Sequence, residues 1–231
     1  MSRSIAEQTV EELGGPGSVL ARQRRDHIQL DRLLHELDGS TGAAQEEVLT
    51  RIDRLVFSHA FAEETVLWPV LRRVLPDGDA LTRQVEEEHQ EVNELVSALE
   101  RDGLDDPQRP ARLARLVEVL RADVRDEEDV LLPRLQERLT PEELRALGRR
   151  WALMARISPT RPHPTVSRRP PGNALAGLPL TLVDRTRDLV DAGSRRVPDR
   201  FAPIGRAVSS GLAAVAGVVE RLPPSRRGDR P

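Results

Sequence analysis

Apolar residues recur at steps of three and four throughout residues 18–157, as in helices that bury one face. Runs of β-branched residues are few, and strand-like alternation is missing. The pattern therefore predicts an all-α domain in this part of the chain. Four long helices are expected, over residues 18–37, over residues 43–74, around an apolar stripe at 81–99 and around a stripe at 113–134.

The predicted helices are separated by short segments that contain glycine and proline, at residues 39–42, 76–79 and 103–110. Short connections make consecutive helices antiparallel neighbours, so an antiparallel up-down four-helix bundle is expected. Thr140 is followed by proline and two glutamates, which is typical of a capped helix start. A short fifth helix through Trp151 should pack on the bundle.

Two prolines fall inside the last turns of the second and fourth predicted helices, at Pro69 and Pro133. Proline has no backbone N–H and its ring crowds the preceding turn, so each should disturb the helix locally. A bend is expected in both helices at these positions.

The second and fourth helices repeat each other at a distance of sixty-four residues, segment 59–71 matching segment 123–135. Both copies contain an acidic pair, an apolar pair and a proline in the same order. A histidine lies upstream of each copy, His27 before the first and His89 before the second. The repeating unit is therefore a pair of helices, and function is expected where the two units face each other.

Polar residues of metal-ligating type interrupt the apolar stripes of all four helices. A carboxylate buried without partners costs several kcal/mol or shifts its pKa until it is neutral. A shared cation would satisfy all of these groups together, whereas a metal-free bundle with hydrogen-bonded core histidines is the alternative. The candidate ligands are His27, His59, Glu63, His89, Asp123 and Glu127.

Residues four apart lie on one helix face, so His59 with Glu63, and Asp123 with Glu127, can reach the same metal centre. Imidazole nitrogen mixed with carboxylate oxygen suits iron, manganese or zinc better than calcium or magnesium. Six side chains exceed what one tetrahedral zinc ion requires. Two metal ions bridged by Glu63 and Glu127 would use all six.

These residues resemble the hemerythrin-like family of HHE cation-binding domains over about residues 18–139. The family pattern has a histidine in the first helix, His-x-x-x-Glu in the second, histidine in the third and His-x-x-x-Glu in the fourth, commonly with Glu-Glu and a following proline. The resemblance implies a non-haem protein with two carboxylate-bridged iron ions. Such a protein binds or reacts with dioxygen, peroxide or a related small oxidant, in storage, sensing or detoxification.

One position departs from the family pattern, because Asp123 stands where the family usually has histidine. Aspartate is shorter and anionic, which puts oxygen carriage in question more than metal binding. Alternatively, Val124 occupies the core position and Asp123 pairs with an arginine on a solvated face. Glu64 and Glu128 are expected on the surface or behind the ligands. No residue is assigned as catalytic.

Composition separates an acidic body from a basic tail. Residues 158–231 contain 11 of the 18 prolines, with 13 basic and 6 acidic residues, whereas residues 1–157 contain 22 basic and 32 acidic residues. The expected organisation is an N-terminal extension at 1–17, the bundle at 18–157 and a solvated, partly helical tail at 158–231. Its weakly amphipathic segments are expected at 175–190 and 204–222, with Pro179 and Pro203 at helix starts.

The tail supports a second hypothesis, in which a metal-controlled bundle presents it to a protein partner or an anionic membrane surface. Nucleic-acid binding is not expected, because the tail's arginines are scattered and Phe201 is its only aromatic residue. Cysteine is absent, which excludes disulfides and thiolate chemistry. No stretch has the length of a membrane span, so a cytoplasmic protein is expected.

Overall fold

The computed structural model describes residues 3–102, 104–194 and 202–226, and every regular element in these ranges is helical. The prediction of an all-α protein is therefore confirmed for the described residues. The α-helices are α1 (Val19–Asp38), α2 (Gly42–Ala62), α3 (Trp68–Val74), α4 (Gly78–Asp102), α5 (Arg109–Asp126), α6 (Leu132–Gln136), α7 (Pro141–Arg156), α8 (Gly172–Ser194) and α9 (Ala202–Arg221).

Two apolar clusters fill the helical body, by which we mean residues 18–157. The first cluster includes Leu20, Trp68 and Leu132, and the second includes Ile52 and Leu116. Helices α1 and α4 run from the first cluster to the second, whereas α2 and the segment from α5 to α6 run from the second to the first. The candidate ligands fall between the two clusters on every one of these helices, so they form a polar layer inside an apolar core.

Each proline of the sequence repeat follows a stretch of π-helix. The second predicted helix divides into α2, a π-helical segment at Glu63–Leu67, and α3, and the fourth divides into α5, a π-helical segment at Glu127–Leu131, and α6. The backbone N–H of the residue after each segment donates a hydrogen bond to the carbonyl of the segment's first glutamate, Glu63 or Glu127. The prolines thus change the helix type where two candidate ligands lie, as π-turns often do at functional sites.

The predicted fifth helix is present as α7 and extends beyond Trp151 to Arg156. Thr140 caps it, because its hydroxyl accepts from the Glu143 backbone N–H while the Glu143 side chain accepts from the Thr140 N–H. Gly148 allows α7 to approach the start of α1, since an added Cβ would collide with the backbone carbonyl of Gly17.

The N-terminal extension packs against the helical body. Ile5 and Leu13 are fully buried, and the Ser4 hydroxyl donates to the backbone carbonyl of Glu128 at 3.2 Å. This contact places the extension next to the π-helical segment of the fourth predicted helix.

The prediction of a solvated tail is wrong for its described residues. Helices α8 and α9 share a small apolar cluster that includes Leu180 and Ala216. Arg54 of α2 donates to Asp188 of α8 at 3.0 Å, which ties the tail to the body. Helix α8 begins at Gly172, so Pro179 lies inside the helix and not at its start.

None of the helices in the described part of the chain combines the length and the apolar character needed to cross a membrane.

Candidate metal centre

All six predicted ligands come together in the polar layer between the two apolar clusters. The side chain of Glu63 is fully buried, and His27, His89 and Glu127 are at most 6% exposed. The six candidate ligands come from different elements: His27 from α1, His59 from α2, Glu63 from the first π-segment, His89 from α4, Asp123 from α5 and Glu127 from the second π-segment.

Two overlapping groups of three residues have the spacing of metal ligands. His27, His59 and Glu127 form the first group, whose ligand atoms all lie within 4.8 Å of one another. Glu63, His89 and Glu127 form the second group at the same spacing. Glu127 belongs to both, and Glu63 Oε1 lies 3.1 Å from His59 Nε2 of the first group. Glu63 and Glu127 therefore each lie beside ligand atoms of both groups.

Asp123 lies at the edge of the second group, with its Oδ1 atom 3.7 Å from His89 Nε2. This oxygen is buried and has no hydrogen-bond partner. Within the described residues no ion pair joins Asp123 to an arginine, so the alternative of a solvated Asp–Arg pair is not what the structure shows. Asp123 therefore lies beside His89 but outside both groups of three.

Several donor atoms in the layer are buried without hydrogen bonds. They are Glu63 Oε2, both Oε atoms of Glu127, Asp123 Oδ1 and His59 Nδ1, although Glu127 Oε2 also lies 3.1 Å from His27 Nε2. An unpartnered buried polar group costs about 1–3 kcal/mol, and more when it is charged. Negatively charged carboxylate oxygens without hydrogen bonds, beside three imidazoles, suit a cation. Their charge attracts it, and oxygen and nitrogen are atoms to which it binds.

The second glutamate of each acidic pair holds a histidine of the opposite unit. Glu128 Oε1 lies 2.9 Å from His27 Nδ1, and Glu64 Oε1 lies 2.9 Å from His89 Nδ1. Both contacts turn the Nε2 atoms toward the centre, as carboxylates behind metal-bound histidines do. Glu64 is only 2% exposed, which places it behind the ligands and excludes the surface location.

Two further residues support the layer and were missed in the sequence. Gln23 is fully buried and its amide donates to Glu63 Oε1 at 2.7 Å. Asp26 Oδ2 lies 3.5 Å from His59 Nδ1. The spacing of Gln23, four residues before His27 on one face of α1, is a signal that could have identified it.

The histidines are strongly basic in this arrangement. Burial works to lower the pKa of His27, but the carboxylates of Glu127 and Glu128 outweigh it and raise that pKa to about 9. Burial is likewise outweighed at His89, chiefly by the charge of Asp123, and the pKa rises to about 10. Protons therefore compensate the carboxylates when no cation does, and cation binding would release them.

The carboxylates respond to burial and to one another. Burial raises the pKa of Glu63 and of Asp123, and the negative charge of Glu127 raises both further. Burial has the same effect on Glu127, but contacts with His27 and His59 outweigh it and hold the pKa of Glu127 far below its usual range. Glu127 is thus the anionic centre of the layer, consistent with its place in both ligand groups.

Comparison with known families decides which kind of centre this is. The family model of the hemerythrin HHE cation-binding domain matches residues 18–135, a segment that contains every candidate ligand. The chain belongs to this family. The resemblance inferred from the histidine and glutamate pattern is confirmed, and metal binding by the helical hemerythrin domain follows from it.

The hemerythrin domain is also similar to curated proteins. One is an uncharacterized hemerythrin-like protein of Schizosaccharomyces pombe, 26% identical over 134 residues that cover 58% of this chain and 66% of that protein. Another is a protein of Nostoc sp. named DNA nickase, 28% identical over 121 residues that cover 52% of this chain and 34% of that protein. The chain thus spans less than two thirds of the length of these relatives. No solved structure matches it.

Proposed function

We propose that this chain is a hemerythrin-like, non-haem di-iron protein that binds or reacts with dioxygen, peroxide or a related small oxidant. The observation that carries the proposal is the set of buried carboxylate oxygens without hydrogen bonds, on Glu63, Asp123 and Glu127, beside three imidazoles. Family membership favours iron among the metals that accept such donors.

His27, His59 and Glu127 would hold one iron, and His89, Glu63 and Asp123 would hold the other. Glu63 and Glu127 are the proposed bridges, supported by the contact of Glu63 with His59 and by the place of Glu127 in both ligand groups. When bound, the two irons supply the redox chemistry that a small oxidant requires.

The surrounding residues position the ligands and keep water away. Glu64 and Glu128 orient the two imidazoles from behind, and Gln23 fixes Glu63. The apolar clusters on either side exclude solvent, which strengthens electrostatic interactions inside the layer. Aspartate at 123 adds a negative charge where the family usually has a neutral histidine, so it would stabilise bound iron in the ferric state and favour reaction over reversible carriage.

The proposed framework is an antiparallel up-down four-helix bundle that carries the site. Its support is the alternating direction of α1, α2, α4 and α5 between the two apolar clusters. Such bundles place ligands from facing helices in their core. The proposed domain extends over residues 18–157.

A second candidate function is interaction through the tail, with the metal site as its control. Arg168 of the tail approaches Glu64, its Nη1 atom 3.9 Å from Glu64 Oε1, and Glu64 in turn holds His89. The tail helices also expose large apolar side chains, with Leu182 at 70% and Leu189 at 75% exposure. Exposed apolar residues on a helical pair suit a protein partner or a membrane surface.

The likeness to a protein named DNA nickase does not extend the proposal to DNA. Only 34% of that protein is covered by the match. Two tail arginines among the described residues are paired with carboxylates, Arg161 with Asp188 at 2.9 Å and Arg169 with Glu86 at 2.9 Å.

Anaerobic purification followed by metal analysis and absorption spectroscopy tests the di-iron proposal. We expect two irons per chain and a change in the spectrum on oxidation by air or peroxide. The variants Glu63→Ala and Glu127→Ala should lose iron, whereas Glu87→Gln, on the exposed side of α4, should retain it. A protein that binds no iron, or keeps it in both ligand variants, would contradict the proposal.

A further inference from the structure

An open cavity of about 390 Å³ lies between α1 and α5 and reaches a candidate ligand. His27 and Glu128 form part of its wall, together with apolar side chains of both helices. The cavity thus connects the surface with the back of the metal centre.

Four arginines surround this cavity: Arg24, Arg32, Arg121 and Arg125. Within the described residues none of them forms an ion pair, and Arg24 donates to the backbone carbonyl of Ala6 at 3.2 Å. They contrast with arginines elsewhere on the body, such as Arg115, which is held by Glu91 at 2.6 Å.

The two acidic residues of the cavity wall are both next to histidines. Glu128 contacts His27 at 2.9 Å, and Asp31 lies 3.4 Å from His35. The wall therefore carries four arginines against two carboxylates, so its net charge is positive although residues 1–157 are acidic as a whole.

A smaller cavity of about 20 Å³ lies deeper, beside the metal ligands. Its wall includes His27, His59, His89 and Asp123. It shares His27 with the outer cavity, and the apolar side chains Leu30, Leu120 and Val124 line both. A space of this size holds about one water molecule, so it restricts a ligand to a few heavy atoms.

We infer that the cavity between α1 and α5 is the access route to the metal centre and that its arginines select small inorganic anions. The inference rests on the proposed di-iron function and names the ligand class of that site. A cleft lined with one sign of charge concentrates ions of the opposite sign and speeds their association. Leu30, Leu120 and Val124 then separate this collecting cavity from the inner one.

Two double variants of the full chain test the role of the arginines. R121Q/R125Q removes two charges from the cavity wall, and R149Q/R150Q removes two from α7. Arg149 and Arg150 are exposed and lie outside the walls of both cavities, so the second variant controls for the change in net charge.

The first readout is the association rate of azide, a three-atom anion, with the oxidised iron-loaded protein. At low ionic strength we expect R121Q/R125Q to bind azide about tenfold more slowly than the unmodified chain and the control. The difference should vanish in concentrated salt, which screens the charges. Binding of neutral nitric oxide to the ferrous protein should be equal in all three.

Equal azide rates in all three iron-loaded proteins would overturn the inference and leave the di-iron proposal intact. Equal slowing of azide and nitric oxide in R121Q/R125Q would also overturn it, since the effect would then come from shape and not from charge. A chain that takes up no iron contradicts the proposed function instead.

A second readout does not require iron. Azide added to the metal-free protein should shift the imidazole NMR signals of His27, which lines both cavities, and leave those of His163 in place. The shift should be lost in R121Q/R125Q and retained in R149Q/R150Q. A His27 shift that is absent, or that persists in R121Q/R125Q, would contradict selection of anions by the arginines.

Discussion

Adjacent glutamates in this protein have different roles. Glu63 and Glu127 face the centre of the polar layer, whereas Glu64 and Glu128 each hold the Nδ1 atom of a histidine from the other unit. The arrangement is reciprocal, so each half of the sequence repeat orients a ligand of the other half. The role of each glutamate therefore depends on the side of the helix from which its carboxylate projects.

Removing the charge of either supporting glutamate should weaken metal binding. We expect Glu64→Gln and Glu128→Gln each to lower iron affinity roughly 10- to 100-fold. Each glutamate orients one histidine from behind, and in the variant that histidine loses its partner. Glu64→Gln should have the larger effect, since Glu64 is the more buried. Competition with a chelator measures the affinities, and Glu87→Gln on the exposed face of α4 is the control. Unchanged affinity in both variants would show that these contacts do not support the site.

Asp123 is the residue at which this chain leaves its family's pattern. We expect Asp123→Ala to lower iron occupancy, because a buried oxygen donor beside His89 is lost. Asp123→His should retain two irons and change the oxidised absorption spectrum, since a neutral nitrogen replaces an anionic oxygen. If metal content and spectrum are the same in both variants and the unmodified chain, Asp123 is not a ligand.

At the scale of elements, the helix starts differ in whether a side chain accepts hydrogen bonds from their backbone N–H groups. Thr140 caps α7 with a side-chain hydrogen bond and a reciprocal glutamate, whereas Thr41 at the start of α2 makes no side-chain cap bond. Helix α7 also covers the site, because the Trp151 ring packs edge-on against His59 at 5.5 Å between centroids. The cap of α7 therefore contributes to the enclosure of the metal layer.

Loss of this cap should destabilise the protein measurably. We expect Thr140→Ala to lower the free energy of unfolding by about 1 kcal/mol, since one side-chain hydrogen bond at the start of the helix is lost. Thr41→Ala, at an equally exposed helix start without the bond, should cost clearly less. Denaturant unfolding monitored by circular dichroism compares the two, and equal losses would show that the capping box has no special role.

At the scale of the whole molecule, the polar layer divides the core into two apolar clusters. Each of the four long helices crosses the layer, so a bound cation joins helices that would otherwise meet there only through charged side chains. Binding to the native state alone stabilises it by about 2.7 kcal/mol when the ligand is present at a hundred times its Kd.

Removal of the metal should therefore lower thermal stability. For a chain of this size we expect chelation to reduce the Tm by roughly 5–10 °C. Calorimetry of the loaded and the chelated protein measures the shift, and re-addition of iron should reverse it. Identical Tm values would favour the metal-free bundle.

The tail is attached to the body through a buried histidine. His163 contacts Asp184 of α8 and Glu220 of α9, both at 3.0 Å, and its backbone N–H donates to Asn93 of α4 at 2.9 Å. Asp184 is itself fully buried and also accepts from the backbone N–H of Arg161. The imidazolium thus joins α8 to α9, and the His163 backbone joins them to α4 at Asn93, four residues after His89.

Alkaline pH should loosen this attachment. Burial works to lower the pKa of His163, but Asp184 and Glu220 outweigh it and raise that pKa to about 9. The folded pKa exceeds the unfolded value of about 6.5, so the protonated imidazole stabilises the folded state by roughly 3 kcal/mol. This stabilisation is complete below pH 6.5 and is lost as pH rises through 9. We expect the unmodified chain to lose stability over this range and His163→Gln to lose less. If the free energy of unfolding changes with pH in the same way in both proteins, the His163 imidazolium is excluded as the link.

The sequence by itself determined the helices and the set of candidate ligands. Apolar periodicity depends on local geometry, so it predicted α1, α4 and α7, and it predicted as single helices the segments from α2 to α3 and from α5 to α6. The six candidate ligands were identified because carboxylates and histidines inside an apolar stripe require partners, and the structure places all six in one layer. That part of the site is encoded along single helices and needs no knowledge of their packing.

Only the tertiary structure decided the roles that depend on contacts between distant segments. The partners of Glu64 and Gln23 could not be identified from periodicity, since they lie on other helices. The tail was predicted to be solvated because its composition is basic and proline-rich, yet its buried Asp184 and His163 pair with each other. The arginines around the α1–α5 cavity are scattered in sequence and become a positive surface only where two helices meet. Composition and spacing describe one segment at a time, whereas burial and charge pairing belong to the folded chain.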